Sequence, residues 1–252
     1  MAFLPGTLEA DTLTGTDEAD VIFGDLGNDS ITGAAGNDFL SGDDGDDDIT
    51  TGAGDDIVLG GTGNDTIGGM AGRDVVLAGD GNDVITWNDP TGDAVFGGQG
   101  NDIIRGGDVA ADTIQGGGGD DFIRAFVTSL GNATASDLLL GNEGNDVVIG
   151  GNAADTVEGG DGDDFLVGND GADTFVFRAF LAADQGFGTD TITDFDPSED
   201  VVQFVGLGED FDPLAALSAT PQGAVLDLGA GNSVLFLGRL VAEFSTDNFL
   251  VM

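Results

Sequence analysis

The chain has no Cys, no His, no Tyr and no Lys, and five arginines are its only basic side chains. Each absence removes a class of chemistry. Without Cys there is no disulfide, no thiolate zinc site and no cysteine nucleophile. Without His there is neither a Ser-His-Asp triad nor a metalloprotease helix motif. Without Tyr or Lys, no such base can abstract a proton from a sugar ring. Only carboxylate acid–base catalysis survives among the common schemes, and nearly every Asp already has a place in the pattern described below. No apolar run approaches the roughly 18 residues needed to span a membrane. The opening MAFLPGTLEAD has no basic or apolar leader region, so an ordinary N-terminal signal peptide is not expected.

What is abundant is acid and glycine. Forty-eight Asp and Glu give a net charge of −43, and there are 46 Gly. Such a charge excludes nucleic acid and anionic membrane surfaces as partners and makes divalent cations the natural counter-ions. Without them the carboxylates repel, so the ion-free chain is expected to be largely unfolded and ion binding becomes folding free energy.

From Gly24 to Thr86 the residues fall into seven consecutive nonapeptides with none left over: GDLGNDSIT, GAAGNDFLS, GDDGDDDIT, TGAGDDIVL, GGTGNDTIG, GMAGRDVVL and AGDGNDVIT. The fourth place is always Gly (Gly27, Gly36, Gly45, Gly54, Gly63, Gly72, Gly81). The sixth is always Asp (Asp29, Asp38, Asp47, Asp56, Asp65, Asp74, Asp83), and the eighth is always aliphatic (Ile31, Leu40, Ile49, Val58, Ile67, Val76, Ile85). A disordered Gly/Asp tract has no reason to hold an aliphatic at every ninth residue.

The unit reads as a glycine turn followed by a three-residue strand. One such strand is unstable alone, whereas stacked units hide their aliphatics against one another, as in a solenoid. Nine residues make half a coil, so units two apart lie about 4.8 Å above one another. Their Asp and carbonyl groups then form an oxygen-only cage, which favours Ca²⁺ over Mg²⁺ or zinc.

In these residues the chain resembles the RTX, or haemolysin-type, calcium-binding repeat proteins, whose GGxGxDxUx consensus implies a parallel β-roll with Ca²⁺ between its loops. The expected fold is all-β: a roll over residues 1–176 and a small mixed cap over 177–252. Counting from Gly6 gives 18 units, or nine coils, about 43 Å long at strand spacing. The first two units carry Glu9 and Glu18 at the fourth place and read as degenerate caps. Later units absorb extra residues at Trp87–Phe96 and Gly106–Gln115, and a longer insertion at Ala125–Ser136.

Requiring Gly at the fourth place and Asp at the sixth in both loops of a site leaves nine pairs: 29/47, 38/56, 47/65, 56/74, 65/83, 83/102, 102/121, 121/146 and 146/164. About nine strong Ca²⁺ sites follow, with Asp102, Asp121, Asp146 and Asp164 joining the ligands and Asp173 in a weaker loop. Nine ions would cancel 18 of the 43 negative charges.

Outward positions differ by face. Odd units show Thr and Ser. Even units show Val21, Phe23, Phe39, Ile57, Leu59, Val75, Leu77 and Phe96, an apolar ladder that calls for a cover. The first expectation is the C-terminal segment, with a dimer interface or a hydrophobic target as alternatives. Beyond Phe177, GTDTITDFDPSEDVVQF resembles the cap of serralysin-type proteases, where Asp190, Asp194 and Asp200 serve turns or a further ion. DPLAALSAT reads as a short helix, and Gln222–Leu228 with Asn232–Leu237 as two strands. The ending LVAEFSTDNFLVM resembles an uncleaved type I secretion signal. The resemblance therefore implies an extracellular protein of a Gram-negative bacterium, exported by type I machinery and folded by Ca²⁺. Its expected role is structural or adhesive, with self-association or a surface or matrix partner. A carboxylate-dependent polysaccharide enzyme and a membrane-active toxin are the alternatives.

Overall fold

The computed structural model describes residues 1–106, 110–125, 135–178, 186–208 and 210–252. Alternate units feed two sheets, because each glycine turn reverses the chain and sends the next strand to the opposite side. One sheet has 12 strands, running from Phe3–Thr7 through Val21–Asp25, Phe39–Asp44 and Ile57–Thr62 to Val201–Val205 and Phe249–Val251. The other has 13, from Thr12–Thr14 through Ser30–Ala35 and Asp48–Ala53 to Asn232–Leu237, Gly223–Gly229 and Leu217–Ala219. Neighbours are parallel and in step with the repeat, as in Ile31↔Ile49, Ile49↔Ile67 and Ile67↔Ile85. Among the described residues only the two pairings at the end of the second sheet are antiparallel.

The eighth-place column forms the core. Leu40, Ile49, Val58, Ile67, Val76 and Ile85 are fully buried, and so are Ile104, Ile114, Ile123, Leu139, Val148, Val157 and Leu166 further along. Each such side chain contributes about 1.5–3 kcal/mol when removed from water. The core therefore extends along the roll one residue at a time.

The change of composition at Phe177 is not a break in the sheets. Thr174–Arg178 pairs with Val201–Val205, and Phe165–Val167 pairs with Thr189–Ile192, both parallel. These add a coil beyond the repeats. Its end is sealed by Phe195, Phe204, Phe236, Phe244 and Phe249, with Phe195 and Phe236 centroids 5.1 Å apart and Phe236 and Phe244 4.7 Å apart. The expected helix is a single turn, Pro213–Ala216, capped by the Asp212 carboxylate, which accepts from the N–H of Leu214 and Ala215. The expected hairpin is present as Gly223–Gly229 and Asn232–Leu237.

The cover foreseen for the apolar ladder is a correction. The C-terminal segment stacks on the end of the roll, where parallel strand edges are open, and leaves the ladder's face uncovered. Phe3, Phe23 and Phe39 line it in tilted ring contacts at 6.0 and 5.6 Å, and Ile57 and Leu77 remain 47% and 43% exposed.

Candidate metal centre

The fourth-place glycine is required twice over. Gly27, Gly45, Gly63 and Gly81 have φ of 122°, 146°, 120° and 147°, a region L side chains avoid. A Cβ on Gly45 would also lie 1.7 Å from the Gly27 carbonyl oxygen one coil away. The turns stack because that N–H is used across coils: Gly27 donates to Asp44 O and Gly45 to Thr62 O, each at 2.8 Å.

The sixth-place Asp follows the turn and points inward. Its Oδ1 accepts from the backbone N–H of the Asp one coil earlier, forming a continuous file. Asp29 N–H donates to Asp47 at 2.7 Å, Asp47 to Asp65 at 2.9 Å, Asp65 to Asp83 at 2.8 Å and Asp83 to Asp102 at 2.8 Å. It continues through Asp121, Asp146 and Asp164 at 2.7–2.8 Å. A second file joins Asp38, Asp56 and Asp74 at 2.8 and 2.7 Å on the opposite edge. All nine pairs expected from sequence are thus brought together, seven on one edge and two on the other. Asp173 lies in the second file, donating its N–H to Asp200 at 2.9 Å.

The other carboxylate oxygen has no partner. Oδ2 of Asp29, Asp38, Asp47, Asp56, Asp65, Asp74, Asp83, Asp102, Asp121, Asp146, Asp164 and Asp173 is buried and unbonded, as it is in Asp93, Asp112 and Asp190. It occupies space that only glycine leaves open. A Cβ on Gly42 would sit 2.2 Å from Asp47 Oδ2, and one on Gly97 2.2 Å from Asp102 Oδ2.

Buried acceptors are almost always paired, and an unpaired buried charge is costly. Burial, with neighbouring aspartates adding to it, pushes Asp65, Asp74, Asp121 and Asp164 up to about 7, and burial pushes Asp190 to about 9. The backbone N–H bonds oppose the rise without cancelling it. Among the described residues the one arginine in an ion pair is Arg178, with Glu158 at 2.6 Å, so arginine does not neutralise the files.

The donor set fits a hard divalent cation. Among the described residues no three carboxylates converge, so each ion would take one or two aspartates and complete its shell with the carbonyls of the glycine turns. Flexible, oxygen-only coordination of that kind suits Ca²⁺.

Sequence reasoning missed two features. The fifth place forms its own ladder: Asn28, Asp46, Asn64, Asn82, Asn101, Asp120 and Asn145 each accept, through Oδ1, the backbone N–H one coil on, at 2.6–3.1 Å. The column contains both Asn and Asp, so it looks mixed by residue although uniform by acceptor. The aspartate files also outlast the repeats, since Asp164 N–H donates to Asp190 at 2.9 Å. The other cap aspartate, Asp194, accepts from the N–H of Gly168 and Asn169.

The family described as RTX calcium-binding nonapeptide repeat (4 copies) matches residues 5–40, 32–67, 59–86, 88–108, 109–125 and 135–176. No curated protein matches. Among solved structures, the extracellular lipase LipA from Serratia marcescens aligns at 23% identity and TM-score 0.45, over 82% of this chain and 40% of the lipase. The AlgE6R3 subunit of the Azotobacter vinelandii mannuronan C5-epimerase aligns at 29% identity and TM-score 0.25, over 57% of this chain and 80% of that subunit. With its family pattern matched over well more than half its length and its aspartate files in register, the chain belongs to the RTX calcium-binding nonapeptide repeat family.

Proposed function

We propose that the protein is secreted, that it folds on Ca²⁺ outside the cell, and that its role is structural or interactive rather than catalytic. The observation that carries this reading is the set of buried, unpartnered carboxylate oxygens in a chain with no lysine. Extracellular calcium modules bind at about 10⁻⁴ to 10⁻³ M, above cytoplasmic Ca²⁺. The chain would therefore stay extended inside and pass a narrow type I exporter.

The tail supports that order of events. Phe249–Val251 is paired with Val201–Val205, and Phe249 is buried in the aromatic seal. In a tail acting as an export signal, Phe244, Asn248 and Phe249 are accessible only before the cap folds.

Far-UV circular dichroism and sedimentation during a Ca²⁺ titration, with Mg²⁺ as control, test the switch. The expected result is a cooperative gain of β signal with compaction near millimolar Ca²⁺ and none with Mg²⁺. A chain already folded in chelator would overturn it. The interaction face in this reading is the apolar ladder. Phe23→Ser, Phe39→Ser and Leu59→Ser together are expected to reduce self-association or surface attachment; unchanged behaviour would count against that face.

A second reading, a polysaccharide-active enzyme, rests on the carboxylate of Asp89 beside a groove at Trp87. Screening for turnover with Asp89→Asn as control separates it from the first. Part of the Ala125–Ser136 insertion, the other place considered for such chemistry, lies outside the described residues. A membrane-active toxin is disfavoured, since no helix among the described residues is long and apolar enough to cross a membrane; liposome leakage is expected to be absent.

A further inference from the structure

A sizeable groove outside the aspartate files lies where the repeat is broken. Unit WNDPTGDAVF puts Trp87 where most regular units have Gly and adds a residue before Asp93. The indole turns inward, 4% exposed, and fills the space over Gly106, where a Cβ would fall 2.0 Å from the ring. Asp89 replaces a turn carbonyl and accepts from Gly72 N–H at 3.0 Å. The resulting groove, about 520 Å³, is lined by Met70, Ala71, Thr86, Trp87, Asn88, Asp89 and Arg105, together with Gly69. Its floor is apolar and its rim carries an amide, a hydroxyl, a carboxylate and a guanidinium. Both the Trp87 N–H and Asp89 Oδ1 lack a partner.

Arg105 does not stand alone. Parallel pairing puts Arg105 directly beside Arg124, and Thr86 beside Arg105. Both arginines are exposed, and neither makes an ion pair among the described residues. Arg105 lies over the Phe122 ring at 5.2 Å. Two adjacent guanidiniums repel, and in a chain of net charge −43 two cations with no ion pair among the described residues form a local anion-attracting site.

We infer that this groove and the Arg105–Arg124 row bind a short acidic oligosaccharide, with uronate carboxylates on the guanidiniums and a pyranose ring on the apolar floor. The spacing selects among polyanions. Cations one strand apart repeat at about 4.8 Å, which suits one carboxylate per sugar ring. An extended acidic peptide would present carboxylates on one face only about every 6.7 Å. The volume lies within the usual range for a small-ligand site. The inference rests on the Ca²⁺-folded roll and deepens the interactive role by naming a partner class.

Trp87 is the only tryptophan, so its fluorescence reports on the groove directly. The experiment titrates a galacturonic acid trisaccharide into the full chain at saturating Ca²⁺. The expected result is a saturable change in Trp87 emission that weakens at least tenfold in Arg105→Ser/Arg124→Ser, with the Ca²⁺-induced circular dichroism unchanged. Asn88→Ala, at an exposed rim position, is expected to weaken binding about threefold and keeps the test open should the double variant misfold. A neutral dextran trisaccharide should give no response. Absence of a fluorescence change, equal binding by the double variant, which would mean bridging through bound calcium, or an equal response to polyglutamate would each overturn the inference. Failure of calcium-induced folding would show up separately in the circular dichroism and would count against the folding switch instead.

Discussion

The two edges of the roll carry the same aspartate file on the same core, yet they are built differently. The edge of Asp29, Asp47, Asp65, Asp83, Asp102, Asp121, Asp146 and Asp164 keeps Gly at the fourth place and Asn or Asp at the fifth in every one of these loops, and its fifth-place ladder is unbroken from Asn28 to Asp163. On the opposite edge the matching ladder runs from Asn37 to Asp55 to Arg73. Beyond it come Pro90, the extra residues and the long insertion. The aspartate hydrogen bonds survive there all the same, at 2.7–2.9 Å between Asp74, Asp93, Asp112 and Asp137. Strand register and core position the aspartates. The glycine turns decide how well carbonyls are offered beside them, so in the proposed reading one edge would serve as an ion rail and the other would be free to carry the inferred binding groove.

The comparison breaks most sharply by mutation of paired aspartates. Asp65→Ala with Asp83→Ala, on the regular edge, is expected to raise the Ca²⁺ midpoint of folding by on the order of tenfold, about 1.4 kcal/mol. Asp93→Ala with Asp112→Ala, on the irregular edge, should move it by less than about threefold. Circular dichroism titrations measure both, and equal shifts would erase the distinction.

The turn itself is the larger lever in energy. Gly63 has φ of 120°, and a Cβ there would lie 2.0 Å from the Gly45 carbonyl oxygen. Gly63→Ala should cost about 2–4 kcal/mol of Ca²⁺-loaded stability by denaturant unfolding. Ala153→Gly, at the same place on the irregular edge, should cost under about 1 kcal/mol.

Acid sharpens the account of why ions are needed. Asp65, Asp74, Asp121 and Asp164 are raised from an unfolded value of 3.8 to about 7, so in chelator the folded state binds more protons than the unfolded one. Stability from that source is full below about pH 4 and is lost as pH rises towards 7. The chelated chain should therefore gain β signal on acidification. Loss of structure on acidification in chelator would contradict this. Smallest is Gly106→Ala, which forces the Trp87 ring to move. Trp87 emission should change while the Ca²⁺ midpoint stays within about twofold.

Much of this was legible in the residues. The eighth-place aliphatics predict the core, and fourth-place Gly with sixth-place Asp predicts all nine aspartate contacts, because a fixed period dictates register. The limits of legibility were also physical. Asp164 to Asp190 and Asp173 to Asp200 are spaced 26 and 27 residues apart, so the added coil escapes a nine-residue search although its strands pair like the others. Ile57 and Leu77 announce an apolar face without saying what lies on it; open strand edges at the roll's end outcompeted that face for the C-terminal segment. Trp87 showed an interruption, but the groove depends on Gly106 one coil away.

The most direct test of the two-edge account is an anomalous difference map from crystals grown in Ca²⁺. The account predicts seven ions in a row between Asp29 and Asp164 on the regular edge, and two on the other edge, confined to Asp38–Asp74. Ions spread equally along both edges, or present at Asp93–Asp137 as strongly as at Asp65–Asp102, would contradict it.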